Sequence, residues 1–338
     1  MNEILSGIKT IRKRIEDDLN NFQYVYGCYV NAGQIISNFS IPVLDMTSEE
    51  TEMYSKIFKK ALSGKPYKNL LPLEFKDEDS QADLYSLSKS LLKDDSLKTA
   101  FFEKIIDNLI TDHNYCILLT SDTIENEESG YPYFLCAISP IKDTKAELRY
   151  TSETKEFRSN STGNILSSPF LGFAYPAFID DVPDIYSSVY FYNKEVHGEL
   201  IEGIFNCEAP LTANEQKDLL QEALSSSLDE EYTLQTTSVL QEKLIEYSED
   251  EDVVSSDDIK GALSNIVSED KLDIVEENLN GFESYAENLI EKKFTIQTTD
   301  AIITTEFPTK LKIEDVNGRK YILVPASGVV VNGKEVQL

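Results

Sequence analysis

Residues 115–120, YCILLT, with YFLCAISPI at 133–141 and SSVYFYN at 187–193, are short apolar runs bounded by polar turn stretches. Their β-branched and aromatic content predicts buried sheet strands, and their brevity argues against helices. Upstream, YVYGCYV and QIISNFSIPV have the same character and are separated by Asn31, Ala32 and Gly33. That spacing predicts a hairpin with a three-residue loop. Between these strand runs lie helical periods. Ile4, Leu5, Ile8, Ile11, Ile15 and Leu19 share one face of a first helix, with Lys9, Arg12, Lys13 and Arg14 mostly off it. Thr47 and Glu50 form a capping-box pattern that starts a second helix, stopped by Gly64 and Pro66. Residues 79–110 read as two helical pieces broken near Asp94 to Ser96. Residues 151–168 are rich in Ser, Thr and Asn and read as a loop or hairpin tip.

Near Pro210 the aromatic density falls and helix-forming residues take over, opening on the capping pattern TANE at Thr212. Leu219, Leu220, Ala223 and Leu224 form one stripe, Val239, Leu240, Leu244 and Ile245 a second, and Ile259, Leu263 and Ile266 a third. Leu272, Val275, Leu279, Phe282, Ala286 and Leu289 recur three and four apart, which predicts one long helix against a continuous groove, supplied by a local bundle or by a second chain in a coiled coil; fewer than three sustained heptads favour the bundle. From Lys293 the period becomes two, and Asn317-Gly318 and Asn332-Gly333 are hairpin signals, so the chain is expected to end in a small antiparallel sheet. The fold class is α+β: an N-terminal mixed region with an antiparallel sheet at 1–210, an acidic helical segment at 211–292, and a C-terminal antiparallel β region at 293–338.

The chain has 338 residues, 41% of them hydrophobic, including 34 Phe and Tyr, enough for a packed core. Its 60 acidic and 31 basic side chains give a formal charge of -29, which disfavours nucleic acid backbones and anionic lipid as partners. No signal peptide and no apolar run of spanning length is visible, so a soluble, cytoplasmic protein is expected. Cys28, Cys116, Cys136 and Cys207 never form a CxxC pattern and read as buried reduced thiols.

Few motifs carry chemistry. His113 and His197 lack metal-site spacing and read as surface or capping residues. No phosphate-binding glycine motif follows a strand, and no cofactor is implied. The cluster Glu249, Asp250, Glu251 and Asp252, with Asp257 and Asp258 beyond it, lacks the alternation and glycine of a calcium loop. It is read as a solvated linker, in which Ser255 and Asp258 cap the next helix, and as the candidate contact for a basic protein partner. Asp180, Asp181 and Asp184 in DDVPD could hold a hard cation or do acid-base work, although an ordinary turn has the same composition. The patch Lys9, Arg12, Lys13 and Arg14 could contact a phosphate or an acidic partner, but Glu16, Asp17 and Asp18 follow directly and favour an intramolecular ion-pair face.

Eight segments together resemble an uncharacterised bacterial family, domain of unknown function 4317. They are YGCYVN at 26–31, ALSG at 61–64, KNLLPLEF at 68–75, LCAISPIK at 135–142, LGFAYPAFIDDVPDIY at 171–186, EQK at 215–217, NGRKYILVPA at 317–326 and VVVNG at 329–333. The resemblance spans nearly the whole chain and brings no established activity and no catalytic residues. The family pattern carries a cysteine where Ser139 stands and an arginine near Val182, so it assigns no role to either position here. The functional expectation is an interaction or regulatory protein that binds a basic partner through residues 212–291. The alternatives are an enzyme centred on Asp180, Asp181 and Asp184, and a DNA-mimicking inhibitor whose carboxylates imitate phosphates.

Overall fold

The computed structural model describes residues 7–17, 22–65, 68–76, 78–125, 130–143, 147–151, 156–160, 163–179, 182–249, 253–291, 293–299, 301–305, 308–325, 329–331 and 334–336. The chain divides into two units, 1–212 and 213–338.

The apolar runs of the first unit assemble into one antiparallel sheet. Its strands are β1 (Tyr24–Asn31), β2 (Gln34–Pro42), β3 (Leu70–Glu74), β4 (Tyr115–Glu125), β5 (Gly130–Asp143), β8 (Asn164–Leu166), β9 (Leu171–Tyr175) and β12 (Ser187–Tyr192). The order across the sheet is β2-β1-β4-β5-β9-β12-β3, with β8 paired to the end of β5. Both faces are covered, which is why β5 reads as a continuous apolar run and not as an alternation. Tyr133, Leu135 and Ala137 bury into one cluster with Ile8, Ile11 and Ile15 of α1 (Ile8–Asp17) and Phe58 of α2 (Ser48–Lys60). Phe134, Cys136 and Ile138 bury into the other, against α3 (Glu78–Lys89), α4 (Asp95–Asn108) and α5 (Gly198–Phe205). Helix α2 lies so close to the sheet that a side chain on Gly172 would meet the Ala61 Cβ at 2.6 Å.

The expected three-residue hairpin loop is a two-residue one. Asn31 pairs with Gln34, leaving Ala32 and Gly33 at φ +49° and +73°, the two positive values that match the twist of the flanking strands. Strand β2 also carries a bulge: the register passes from Tyr29↔Ser37 to Val30↔Ile35 and leaves Ile36 over. The capping box at Thr47 and Glu50 is formed, and helices α3 and α4 break before Asp94, whose carboxylate accepts from the amides of Ser96 and Leu97. Within residues 147–166 the structure places the short strands β6 (Glu147–Thr151) and β7 (Glu156–Asn160), which pair with each other, and then β8. Two basic residues of α1 reach across to other elements. Arg14 reaches Asp122 of β4 at 2.7 Å, and Tyr133 donates to the same carboxylate at 3.3 Å, while Arg12 donates to the Leu62 and Gly64 carbonyls.

In the second unit α6 (Ala213–Leu228), α7 (Leu234–Glu249), α8 (Ser256–Leu263) and α9 (Glu269–Asn278) enclose one apolar cluster. The helix expected from Leu272 to Leu289 is broken. It stops at Asn278; Gly281 takes φ +73°, and Glu283–Tyr285 becomes strand β14, paired with β13 (Val253–Ser255), before a single turn α10 (Ala286–Leu289). All six apolar residues of the pattern are nevertheless buried in that cluster. The backbone of residues 283–285 pairs with β13 in place of a helical turn, and two glutamines on the facing helices bond the segment around it. Gln216 accepts from the Ser284 hydroxyl at 2.7 Å, and Gln241 bonds the Glu291 amide and carbonyl at 3.2 and 3.0 Å, so this stretch finds its polar partners sideways and not along a helix. Ile245, expected in the second stripe, is 38% exposed.

Among the described residues the C-terminal strands do not join into one sheet. They form three separate hairpins: β15 (Phe294–Gln297) with β16 (Ile302–Thr305), β17 (Lys312–Val316) with β18 (Arg319–Leu323), and β19 (Val329–Val331) with β20 (Lys334–Val336). At the second, Asn317 and Gly318 take φ +56° and +78°, as a two-residue turn of this kind requires. The Asn332-Gly333 pair lies outside the described residues.

Helix α8 begins with a reciprocal cap, in which Ser255 and Asp258 each accept from the other's backbone amide. Ser255→Ala is expected to cost about 1 kcal/mol in a chemical denaturation series.

Candidate functional site

The acidic helical segment is charged on its surface and neutralised where its lysines fall. Between Thr212 and Glu291 there are 22 Asp and Glu against four Lys. Each of the four is ion-paired inside the unit: Lys217 with Glu291 at 3.0 Å, Lys243 with Glu246 at 2.6 Å, Lys260 with Asp273 and Glu276 at 2.6 Å each, and Lys271 with Asp229. The hydrogen bonds to Asp273 and Glu276 push the Lys260 ammonium pKa upward, so it stays charged. Glu231 is held below the usual carboxylate range by bonds from the Ser268 amide and hydroxyl. Asp218, Glu222, Glu230, Glu242, Glu269, Asp270 and Glu277 face solvent.

Of the acidic cluster singled out in the sequence, Glu249 ends α7 and is exposed, and Asp257 is exposed in the first turn of α8. The Asp258 carboxylate is used by the helix cap, and Asp250, Glu251 and Asp252 lie outside the described residues. In DDVPD, Asp184 ends β11 (Val182–Asp184) and accepts from the Tyr186 amide at 3.1 Å and the Ser187 hydroxyl at 2.5 Å, the bonding of a turn. Asp180 and Asp181 lie outside the described residues. Among the described residues no group of three His, Cys, Asp or Glu is placed to hold a metal ion.

A feature that sequence reading missed lies on the α2 face of the first unit. A groove of about 600 Å³ is lined by α2 and residues 164–169, with Ile41 and Met46 also in its wall. Its size is that of a ligand or side-chain site. Met53 and Ile165 open into it and are 62% and 50% exposed, and Tyr54, Ile57 and Leu166 continue the apolar wall. Three of its polar side chains are engaged: Glu50 in the helix cap, Lys56 with Glu52 at 2.6 Å, and Asn164 donating to the Tyr29 hydroxyl at 3.2 Å. These residues are separated by more than a hundred positions, so no local pattern announces them. A second cavity of about 430 Å³ lies among α6, α7 and Phe294, with the Lys217–Glu291 pair in its wall.

All four cysteines are free and buried. Burial raises the thiols of Cys28 and Cys207 to about 11 and that of Cys116 to about 12, and it holds Cys136 well above the ordinary thiol value. They are therefore poor nucleophiles at neutral pH. At pH 8 the folded chain is expected to resist iodoacetamide and to take up four labels once denatured, as counted by mass spectrometry. The sign for stability follows from the upward shift. The protonated thiols are favoured in the folded state, so their contribution is complete below about pH 8.5, the ordinary thiol value, and is lost as pH rises toward 11 and 12. His197 sits at the start of α5 with its ring against Phe170, and its pKa is lowered by burial. His113 is exposed between α4 and β4.

Among the described residues no helix is long and apolar enough to cross a membrane. A search of curated proteins finds no match to the chain. The model of one protein family, described as Domain of unknown function (DUF4317), matches residues 1–334. With a match over almost its full length, supported by the eight ordered segments quoted above, the chain belongs to the DUF4317 family.

Proposed function

We propose that the chain is a protein-interaction module that engages a basic partner through its helical segment. The observation that supports this reading is the internal pairing of all four lysines of residues 212–291, against 22 carboxylates. Because the segment's cations are spent within the unit, an excess of carboxylates remains on its outer surface. Such a surface steers a basic protein at low ionic strength and loses that pull within a Debye length of about 8 Å at physiological salt. Asp218, Glu222, Glu242, Glu269, Asp270 and Glu277 sit on helices held by an apolar core, so their charge has a fixed geometry and not the diffuse character of an acidic tail.

The test is a tagged chain incubated with nuclease-treated lysate of its own host and washed at low and at high salt. A basic protein retained at low salt and released at high salt is the expected result. It should be lost from a variant carrying Asp218→Asn, Glu222→Gln, Glu230→Gln and Glu242→Gln, all at exposed positions. Unchanged retention by that folded variant would remove the helical segment from the interaction.

A further inference from the structure

The sheet of the first unit has two borders, and they are built differently. At the β3 border Leu70, Leu71 and Leu73 are buried and Pro72 interrupts the row of amide donors. That is how a sheet edge is closed. At the β2 border, past the bulge at Ile36, residues 37–42 form a regular edge of about 20 Å, at roughly 3.3 Å per residue. Asn38 and Ser40 are exposed there, and among the described residues no strand pairs with the outer side of β2. Ile41 belongs to this edge and also lines the 600 Å³ groove, so free main-chain groups and an apolar recess adjoin.

We propose that this edge and groove together dock an extended segment of a partner protein, added as a strand along residues 37–42 with apolar side chains seated beside Met46 and Met53. Strand addition supplies affinity through main-chain hydrogen bonds, and recesses for alternate side chains supply selectivity. Methionines suit such a recess, because an unbranched thioether repacks around different shapes; two of the three in the sequence line this groove. Charge decides the occupant. Residues 34–42 carry no charged side chain, and residues 43–55 carry Asp45, Glu49, Glu50 and Glu52 with no cation; Lys56 is paired to Glu52. A second copy pairing on the same edge would bring the same four carboxylates to the same place. An uncharged segment with Lys or Arg flanking its apolar residues meets that border with opposite sign. The docking site lies wholly within residues 37–169 and does not depend on the helical segment.

The probe is a phage-displayed library of random heptapeptides panned on the immobilised full-length chain, with enriched sequences synthesised and titrated by fluorescence anisotropy. Enriched peptides should alternate apolar residues and carry Lys or Arg. Methylating the backbone nitrogens at one set of alternate positions should weaken binding by about tenfold or more, while the other set is tolerated, which is the signature of an added strand. Met53→Lys, at an exposed position, removes the apolar contact and repels the basic residues, and it should weaken the same peptides by a similar factor or more without altering the melting temperature. The proposal is overturned if no peptide is enriched over the bare support, if neither N-methylated set loses affinity, or if Met53→Lys binds as well as the parent. It is equally overturned if the free chain sediments as a dimer that binding peptides dissociate, since a second copy then occupies the edge.

Discussion

Phe173→Ala is expected to lower the unfolding free energy of residues 1–212 by about 3–5 kcal/mol. Phe173 lies in the middle of β9 and is fully buried. Its ring meets Phe134 of the neighbouring strand at 6.0 Å, Phe101 of α4 at 6.1 Å and Phe205 of α5 at 5.0 Å, each edge to face. The side chain thus holds two helices to the sheet at once, and truncation leaves a cavity bordered by three rings that cannot all move in to fill it. Edge-to-face geometry adds to the burial, by roughly 0.5–1.5 kcal/mol for a pair. Phe173→Leu keeps much of the volume and should recover over half of the loss. Urea unfolding followed by circular dichroism measures both; Ile36→Ala, at a 55% exposed position, is the control and should stay within about 0.5 kcal/mol of the parent. Equal loss in all three would show that the aromatic cluster is not where the stability resides.

The second large effect falls on a lysine. Lys98 is 6% exposed, inside the first turns of α4, with its ammonium 2.8 Å from Asp95 and 4.1 Å from the centre of the Tyr26 ring. It also donates to the carbonyl of Leu92. Leu91 and Leu92 both take positive φ, +49° and +59°, an arrangement that costs a non-glycine residue free energy and persists only when its surroundings enforce it. Lys98 and Ser121, whose hydroxyl donates to the Leu91 carbonyl at 3.0 Å, supply that enforcement. Lys98→Ala removes the ring contact and leaves a buried carbonyl without its donor, together about 2–4 kcal/mol. Lys98→Met restores the packing but neither the charge nor the donor, and should fall between the two. If methionine proves as stable as lysine, the stem of the side chain and not its ammonium is what holds α4.

How much of this was legible in the sequence depends on the range of the interaction. The strand runs, the caps at Thr47 and Ser255 and the break before Asp94 are local, and residues 26–31 or 135–142 announce their state without reference to anything distant. The false helix from Leu272 to Leu289 shows the limit. A period of three and four fixes which side chains are buried, and all six are, but the backbone between them turns at Gly281 and pairs with Val253–Ser255, which the period does not encode. Lys98 has the same character, since a lysine in KTAFF gives no sign that a tyrosine ring 72 positions earlier will cover it. The C-terminal alternation was read correctly as strands, yet β15 through β20 pair only in twos, because the pattern states each strand's faces and not its neighbour. The groove beside α2 joins three segments and had no local sign at all.

The unequal borders of the sheet set an upper limit on assembly. Among the described residues the eight-stranded sheet can be extended only from β2, with Pro72 ending the other side, so this sheet has a valency of one. Whatever strand pairs there, the result is a terminated complex of fixed stoichiometry, and raising the concentration fills more sites without lengthening any particle. A sheet open on both sides would instead be a monomer for a fibre.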